Sequence, residues 1–382
     1  MNILIVGGTG VLSTAVVHEA LRLGINVLII NRGNRPHLIP NNVELIKSDK
    51  NNFNFIKSKL KNQRFDAIMD FLCYTDEETT QSFNFYSQYT NQYFFISSCA
   101  VYNTALGGIF KEDSPKTLPI WKYSVKKWES EKHLVSLAKN SETHYTIIRP
   151  CVTYGNTRIP YGISPQYGYH WTLIERILND KPIIRWNEGI NRCNMMRVED
   201  FAIGLVGLIG NPKAYNEVYN ICGDETPSFN DVLDVLSELL GKKIKVIDII
   251  SEFYAKELPS RKGEILARSI DGINSNEKIK NIVPSFKQTI FLKDGIAQTL
   301  NAYKNNNYQN GIDWKFDADT DRIIKKWCLM QNINIENLNL HFIDYLNNAT
   351  FNNKIRYWLE YNKDYMFVKS LKYGMKIIKK LK

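Results

Sequence analysis

The chain opens with an apolar run of strand length, Asn2-Ile3-Leu4-Ile5-Val6, that passes directly into Gly7-Gly8-Thr9-Gly10 and then into a helical pattern from Thr14 to Leu23. A strand, a tight glycine turn and a helix in immediate succession leave few folds open. Glycines let the backbone turn sharply and approach a ligand closely, and the free N–H groups at the start of the next helix favour an anion. A glycine cluster by itself is common. One set between a first strand and a first helix predicts a pyrophosphate cradle built from Gly7, Gly8, Thr9, Gly10, Val11 and Leu12. Ser13 stands where such a fingerprint usually has its last glycine, and a residue that small still lets helix and strand pack closely.

Asn26–Ile30 and Val43–Ile46 read as further strands, and the apolar runs Phe65–Leu72 and Tyr93–Ser98 predict strands covered on both faces. The expected fold class is α/β, a Rossmann-type doubly wound parallel sheet. At the end of the second strand an acidic residue normally holds the ribose 2′-hydroxyl of NAD, and here the chain has Asn31-Arg32-Gly33-Asn34-Arg35. Positive charge at Arg32 and Arg35 lies where a 2′-phosphate would sit, which tilts the expected cofactor from NAD towards NADP. The plain alternative is a solvated basic turn. Asp49 offers a carboxylate to an adenine amino group or, more simply, caps the next helical turn.

Tyr123 and Lys127 follow, four residues apart in Tyr123-Ser124-Val125-Lys126-Lys127. On a helix this spacing puts a phenol and an ammonium on one face. A nearby cation lowers the pKa of a tyrosine, ordinarily about 10, and makes it useful as an acid and base at a carbonyl or hydroxyl. Ser98, at the end of a neighbouring strand, is placed to donate a hydrogen bond to the same oxygen. Tyr and Lys are abundant here, so the pair alone also fits an exposed helix face. Its order after the glycine turn and the serines gives it weight.

These segments, with Ser97-Ser98-Cys99-Ala100-Val101-Tyr102, Glu131, Arg149-Pro150-Cys151-Val152-Thr153-Tyr154-Gly155, Met196–Ala202 and Leu292–Ile296, resemble the extended short-chain dehydrogenase/reductase superfamily, in its nucleotide-sugar epimerase, dehydratase and ketoreductase branch. The resemblance covers about the first 300 residues. It implies Ser98 as hydrogen-bond donor, Tyr123 as acid/base, and Lys127 as the residue that tunes Tyr123 and holds the nicotinamide ribose. It also implies cofactor contacts at Phe71, Leu72, Ser97 and Pro150, and a homodimer paired through long helices, of which 122–140 is a candidate. The activity it implies is 4-keto reduction or epimerisation of a nucleotide-diphosphate sugar, in the making of surface-glycan precursors. Ser98-Cys99-Ala100 lacks the carboxylate pair that dehydration would want. Ser13, Asn31-Arg32 and Lys50 depart from the family pattern and bear mainly on cofactor choice. The contrasting function is a catalytically silent scaffold that binds a cofactor, RNA or a protein partner, which the presence of Ser98, Tyr123 and Lys127 argues against.

At 382 residues and 44% hydrophobic, the chain can bury a full core. The expected organisation is a cofactor domain at 1–155, a mixture of remaining Rossmann elements and a smaller substrate-binding lobe at 156–303, and a basic helical extension at 304–382. The loop 155–170, rich in Gly, Pro and Tyr, is expected to close over a substrate. Arg158 and Arg197 are candidates for its diphosphate. Six cysteines without paired spacing indicate neither a zinc site nor a disulfide framework, and with no apolar run of membrane-spanning length the expected location is cytoplasmic. Between Phe351 and Lys382 nine basic residues face two acidic ones, so most of the net +10 sits in the tail. Nucleic acid is not an expected partner, since the excess is confined to one end. An anionic membrane surface or a glycosyltransferase is a partner such a tail could meet. The simplest expectation is a terminal helix whose apolar stripe packs on its own domain.

Overall fold

In the computed structural model, which describes residues 1–117, 119–307, 311–340, 346–347 and 349–380, seven parallel strands form one sheet. Five of them are β1 (Asn2–Val6), β2 (Asn26–Asn31), β3 (Glu44–Lys47), β4 (Ala67–Asp70) and β5 (Gln92–Ile96), joined by His144–Pro150 and Glu217–Ile221. Their order across the sheet is Glu217–Ile221, His144–Pro150, β5, β4, β1, β2, β3. The chain moves outward from β1 to β3 and then returns to the other side of β1 as β4, so the sheet reverses direction between β1 and β4. Ligands of such sheets lie beyond the carboxyl ends of the strands at this reversal.

Alternation along β1 divides the core into two layers. Ile3 and Ile5 join Val16, Val17 and Ala20 of α1 (Val11–Arg22) on one face, together with Phe201 and Leu205 of the helix Val198–Val206. Leu4 and Val6 join Ile56, Phe83 and Leu134 on the other, from α2 (Phe53–Leu60), α3 (Asp76–Tyr86) and α4 (Lys122–Ala138). Both faces of β1 are thereby buried, which is why it is a continuous apolar run.

The chain forms two compact units, one of Met1–Gly155, Asn191–Ser228 and Ile270–Gly295, the other of Asn156–Ile190, Phe229–Ser269 and Ile296–Lys382. Residues from 304 onward belong to the second unit rather than to a unit of their own. Their helix Trp314–Met330 is fastened to the rest of that unit by a fully buried quartet. Asp317 and Asp321 each pair with both Arg176 and Lys181 at 2.6–2.9 Å, two charges of each sign in a space closed to water.

The loop after Gly155 is not a flap. Ile159, Tyr161 and Ile163 are buried, the Tyr161 ring packs edge-on against Trp186 and Phe229, and its hydroxyl donates to the Ile184 carbonyl at 2.9 Å. A Cβ on Gly162 would lie 2.4 Å from the Trp186 ring. Of the aromatic residues that suggested a closing loop, Tyr161 instead joins the core of the second unit, while Tyr167 is exposed.

The tail also departs from expectation. Helix Phe351–Tyr361 buries Tyr357, whose hydroxyl donates to Asp321. The last helix, Met366–Lys380, buries Val368 and reaches Glu360 through Lys372 at 2.6 Å. Its residues Met366, Phe367, Leu371, Tyr373 and Met375 are exposed, so these apolar side chains, among the described residues, do not pack on its own unit.

Candidate active site

The glycine turn follows β1 at the point where the sheet reverses. Gly7 and Gly8 have φ of +119° and +81°, a region side chains rarely enter, and a Cβ on Gly8 would lie 2.7 Å from Ile29. Gly10 caps α1, whose first turn holds no acidic residue. The Gly10 N–H donates to Ser13 Oγ at 2.9 Å. Ser13 is therefore a working substitute for glycine: small enough to be buried between helix and strand, it also satisfies one donor of the turn. The remaining first-turn N–H groups have no intrahelical acceptor, and the helix dipole favours negative charge there. The residues present fit a dinucleotide pyrophosphate.

Asn31 occupies the place of the usual acid and ties the turn together. Its Nδ2 donates to the Gly7 carbonyl at 2.8 Å while its Oδ1 accepts from Gly33 N at 2.7 Å. Arg35 reaches over to the Thr9 carbonyl at 3.1 Å, and Arg32 is exposed. Asp49 is exposed and accepts from Asn51 N at 3.0 Å, which makes it part of a local turn, while Asn52 caps α2. Lys50 links the end of β3 to that of β4 by donating to the Leu72 carbonyl at 2.6 Å. Phe71 and Leu72 stand against the glycine turn, 3.5 and 3.6 Å from where a Gly7 Cβ would be.

Ser97 and Ser98 differ sharply. Ser97 is buried and donates to Glu131 of α4. Ser98 is half-buried and accepts the Ala100 N–H at 3.2 Å, which leaves its own proton for another acceptor. Lys127 is buried, and its Nζ donates to the carbonyls of Cys73, just beyond β4, and Ile96, the last residue of β5, both at 2.7 Å. The rings of Tyr74 and Phe95 lie 4.9 and 5.0 Å from it. Burial brings the Lys127 pKa down to about 8, the nearby acidic groups opposing that shift. Tyr123, one turn earlier on α4, is 36% exposed and packs on Trp121.

Beneath these residues lies a network that sequence inspection did not resolve. Arg149 donates to both oxygens of Glu131, at 3.0 and 2.5 Å, and also to Tyr102 Oη at 2.8 Å and the Glu112 carbonyl at 2.9 Å. Tyr102 in turn donates to Asn220 at 2.6 Å. The available signals were a charged residue at the next face position after Tyr123 and Lys127, and an arginine in an otherwise apolar strand. Pro150 closes that strand.

The two arginines expected at the diphosphate fall in different units. Arg158 is half-buried in the second unit. Arg197 is buried in the first, gripping Glu199 at 2.9 and 2.6 Å and reaching the Gly295 carbonyl at 3.5 Å. Its fork is engaged by these protein groups. Among the described residues no cluster of His, Cys, Asp or Glu could hold a metal ion.

A glycine turn at the reversal of strand order in a parallel sheet defines a Rossmann-type dinucleotide-binding protein. The chain belongs to the NAD dependent epimerase/dehydratase family, whose description matches residues 3–222. It is 25% identical over 245 residues to the chloroplast stem-loop binding protein of 41 kDa b from Arabidopsis thaliana, a match covering 60% of each chain. It is 28% identical over 153 residues to UDP-glucose 4-epimerase from Vibrio cholerae, covering 40% of this chain and 44% of that one. The chain thus spans roughly half the length of these curated relatives. Among solved structures, UDP-glucose 4-epimerase of Thermotoga maritima with UDP-glucose has the same fold, with a TM-score of 0.65, 18% identity, and coverage of 80% of this chain and 99% of that one.

Proposed function

We propose that the protein is an NAD(P)-dependent oxidoreductase or epimerase acting on a nucleotide-diphosphate sugar, by 4-keto reduction or epimerisation. The observation that carries this reading is Lys127, one turn past Tyr123, pinned by the Cys73 and Ile96 carbonyls at the carboxyl ends of β4 and β5. A bound nicotinamide dinucleotide would supply hydride transfer. The third N–H of Lys127 is then left for a ribose hydroxyl, and its charge favours the phenolate of Tyr123. Tyr123 exchanges the proton of the sugar hydroxyl or carbonyl, and Ser98 donates to the same oxygen. Gly7, Gly8, Thr9, Gly10, Val11 and Leu12 hold the pyrophosphate. Asn31, Arg32 and Asp49 face the adenosine half, with Arg32 tilting the choice to NADP. Arg158 and Arg197 are the arginines for the sugar diphosphate. A cytoplasmic homodimer paired through α4 and a role in surface-glycan precursor synthesis accompany this reading.

The test is turnover of UDP- and dTDP-hexoses by the pure protein with NADH or NADPH, followed by chromatography of the sugar nucleotides. The reading expects a product that wild type makes and Tyr123→Phe does not, with cofactor binding retained. No product with any sugar nucleotide, from a protein that does bind RNA hairpins, would favour the scaffold reading that the relative from Arabidopsis thaliana brings to mind.

A further inference from the structure

The residues that follow Phe71 are held in place by charge. In Leu72–Tyr74 four backbone groups each meet a charged side chain, and each of those side chains comes from a different element of the first unit. The Leu72 N–H donates to Asp70 of β4 at 2.7 Å, and the Leu72 carbonyl accepts from Lys50, just past β3, at 2.6 Å. The Cys73 carbonyl accepts from Lys127 of α4 at 2.7 Å, and the Tyr74 N–H donates to Glu78 of α3 at 2.8 Å. Asp70 is buried, and three donors converge on its carboxylate. Besides Leu72 N they are Cys73 Sγ, at 3.1 Å, and the Ser82 hydroxyl, which in turn receives the Tyr93 hydroxyl.

The carboxylates that act on Lys127 are those of Asp70, Glu78 and Glu131. Glu131 is matched by Arg149, and Glu78 by Lys50 at 3.0 Å. The donors on Asp70 include no cation. Burial pushes the neighbouring Cys73, Tyr74, Tyr86 and Tyr93 up from their ordinary values, so these groups stay neutral near pH 7. Tyr123 stands one turn before Lys127 on α4. One unmatched anion therefore remains beside one buried cation. Between them lies Cys73, whose thiol donates to Asp70 and whose carbonyl accepts from Lys127. A buried charge is costly unless another balances it. We infer that Asp70 is a positioning residue for Lys127, turning the Cys73 carbonyl onto its Nζ and balancing its charge. The bearing of this pairing on catalysis rests on the proposed function of Lys127, whereas the pairing itself does not.

The experiment is urea unfolding of wild type, Asp70→Asn and Ser82→Ala from about pH 6 to 10.5, each read as the difference from the same protein carrying Lys127→Met, so that other titrations cancel. In wild type the difference is expected to start rising near pH 8, where folded Lys127 begins to lose its proton. Without the Asp70 charge the ammonium is less favoured, so in Asp70→Asn the rise is expected to start about one pH unit lower. Ser82→Ala removes a bond to Asp70 but no charge. It is expected to lower stability and leave the onset where it was. An unchanged onset in Asp70→Asn would overturn the inference, as would an equal shift in Ser82→Ala. If Asp70→Asn alone does not fold, Asp70→Asn with Lys127→Met is expected to fold, since neither charge then lacks a partner, and a double variant that also fails to fold would overturn it. NADPH affinity titrated over the same range is expected to fall from the same onset in each protein. Because the urea measurement needs neither cofactor nor substrate, a shifted urea onset with an NADPH affinity indifferent to pH would support the pairing and overturn the proposed role of Lys127 at the cofactor.

Discussion

The Arg149 guanidinium closes a two-toothed grip on the Glu131 carboxylate, with contacts of 3.0 and 2.5 Å in a pocket where both side chains are almost fully buried. Glu131 also accepts the Ser97 hydroxyl, so the pair anchors the segment just after β5, which carries Ser98, to α4, which carries Tyr123. Glu131→Gln keeps the shape but strands a buried guanidinium. It is expected to cost about 3–5 kcal/mol in urea unfolding, with Glu131→Gln plus Arg149→Met recovering much of the loss. Equal stability of the single variant and wild type would show that the pair is not the anchor.

Tyr123→Phe removes a proton-carrying group and little volume. Turnover is expected to fall about 10²–10⁴-fold with NADPH affinity within a factor of about two of wild type. Ser98→Ala is expected to fall less, since it removes one donor to the same oxygen. The check is steady-state kinetics beside a fluorescence titration, and a Tyr123→Phe enzyme of undiminished turnover refutes the assignment.

Lys127 sets a pH signature. Its pKa is about 8 in the folded protein and ordinarily 10.5, because burial disfavours the ammonium. Between those values the unfolded chain holds more protons than the folded one, so this group makes stability rise with pH from about 8 to 10.5. Urea midpoints measured across that window should climb in wild type relative to Lys127→Met.

His170 acts at the acid end. It is buried, accepts the Ile159 N–H at Nδ1 and has its pKa held down to about 3, chiefly by burial and then by the Arg158 charge. Folding keeps it neutral while the unfolded chain protonates near 6.5, so its contribution to stability is lost progressively as pH falls below about 6.5. His170→Asn, which keeps an acceptor near the Nδ1 position, is expected to flatten the acid limb of the thermal-melting profile.

Arg32 is the lever on cofactor choice. Arg32→Glu should lower NADPH affinity about tenfold relative to NADH, because a 2′-phosphate would lose a cation and meet an anion. Competitive titration of the two reduced nucleotides separates this from a turn that merely faces solvent, for which the ratio would not move.

The local features of the fold were legible because each is written in adjacent residues. β1, β2, β4 and β5 are largely apolar runs, and the glycine turn follows its strand directly. The helix starts a little earlier than its apolar pattern shows, at Val11, since Ser13 completes the cap. What could not be read depends on partners far along the chain. Asn31 looked like a missing acid, whereas its two bonds to Gly7 and Gly33 make it a brace for the turn. The grip of Arg149 on Glu131, the burial of Arg197 against Glu199, and the quartet joining Trp314–Met330 to Arg176 and Lys181 are matters of tertiary position. Periodicity found the apolar face of the last helix without saying whether the unit covers it.

The most direct test is an equilibrium titration of the pure protein with NADPH and NADH, read by nicotinamide fluorescence, for wild type and Lys127→Met in parallel. The account predicts one saturable site per chain, weakened about tenfold or more when the Lys127 ammonium is removed. Binding of neither nucleotide, or binding that ignores Lys127, would contradict it.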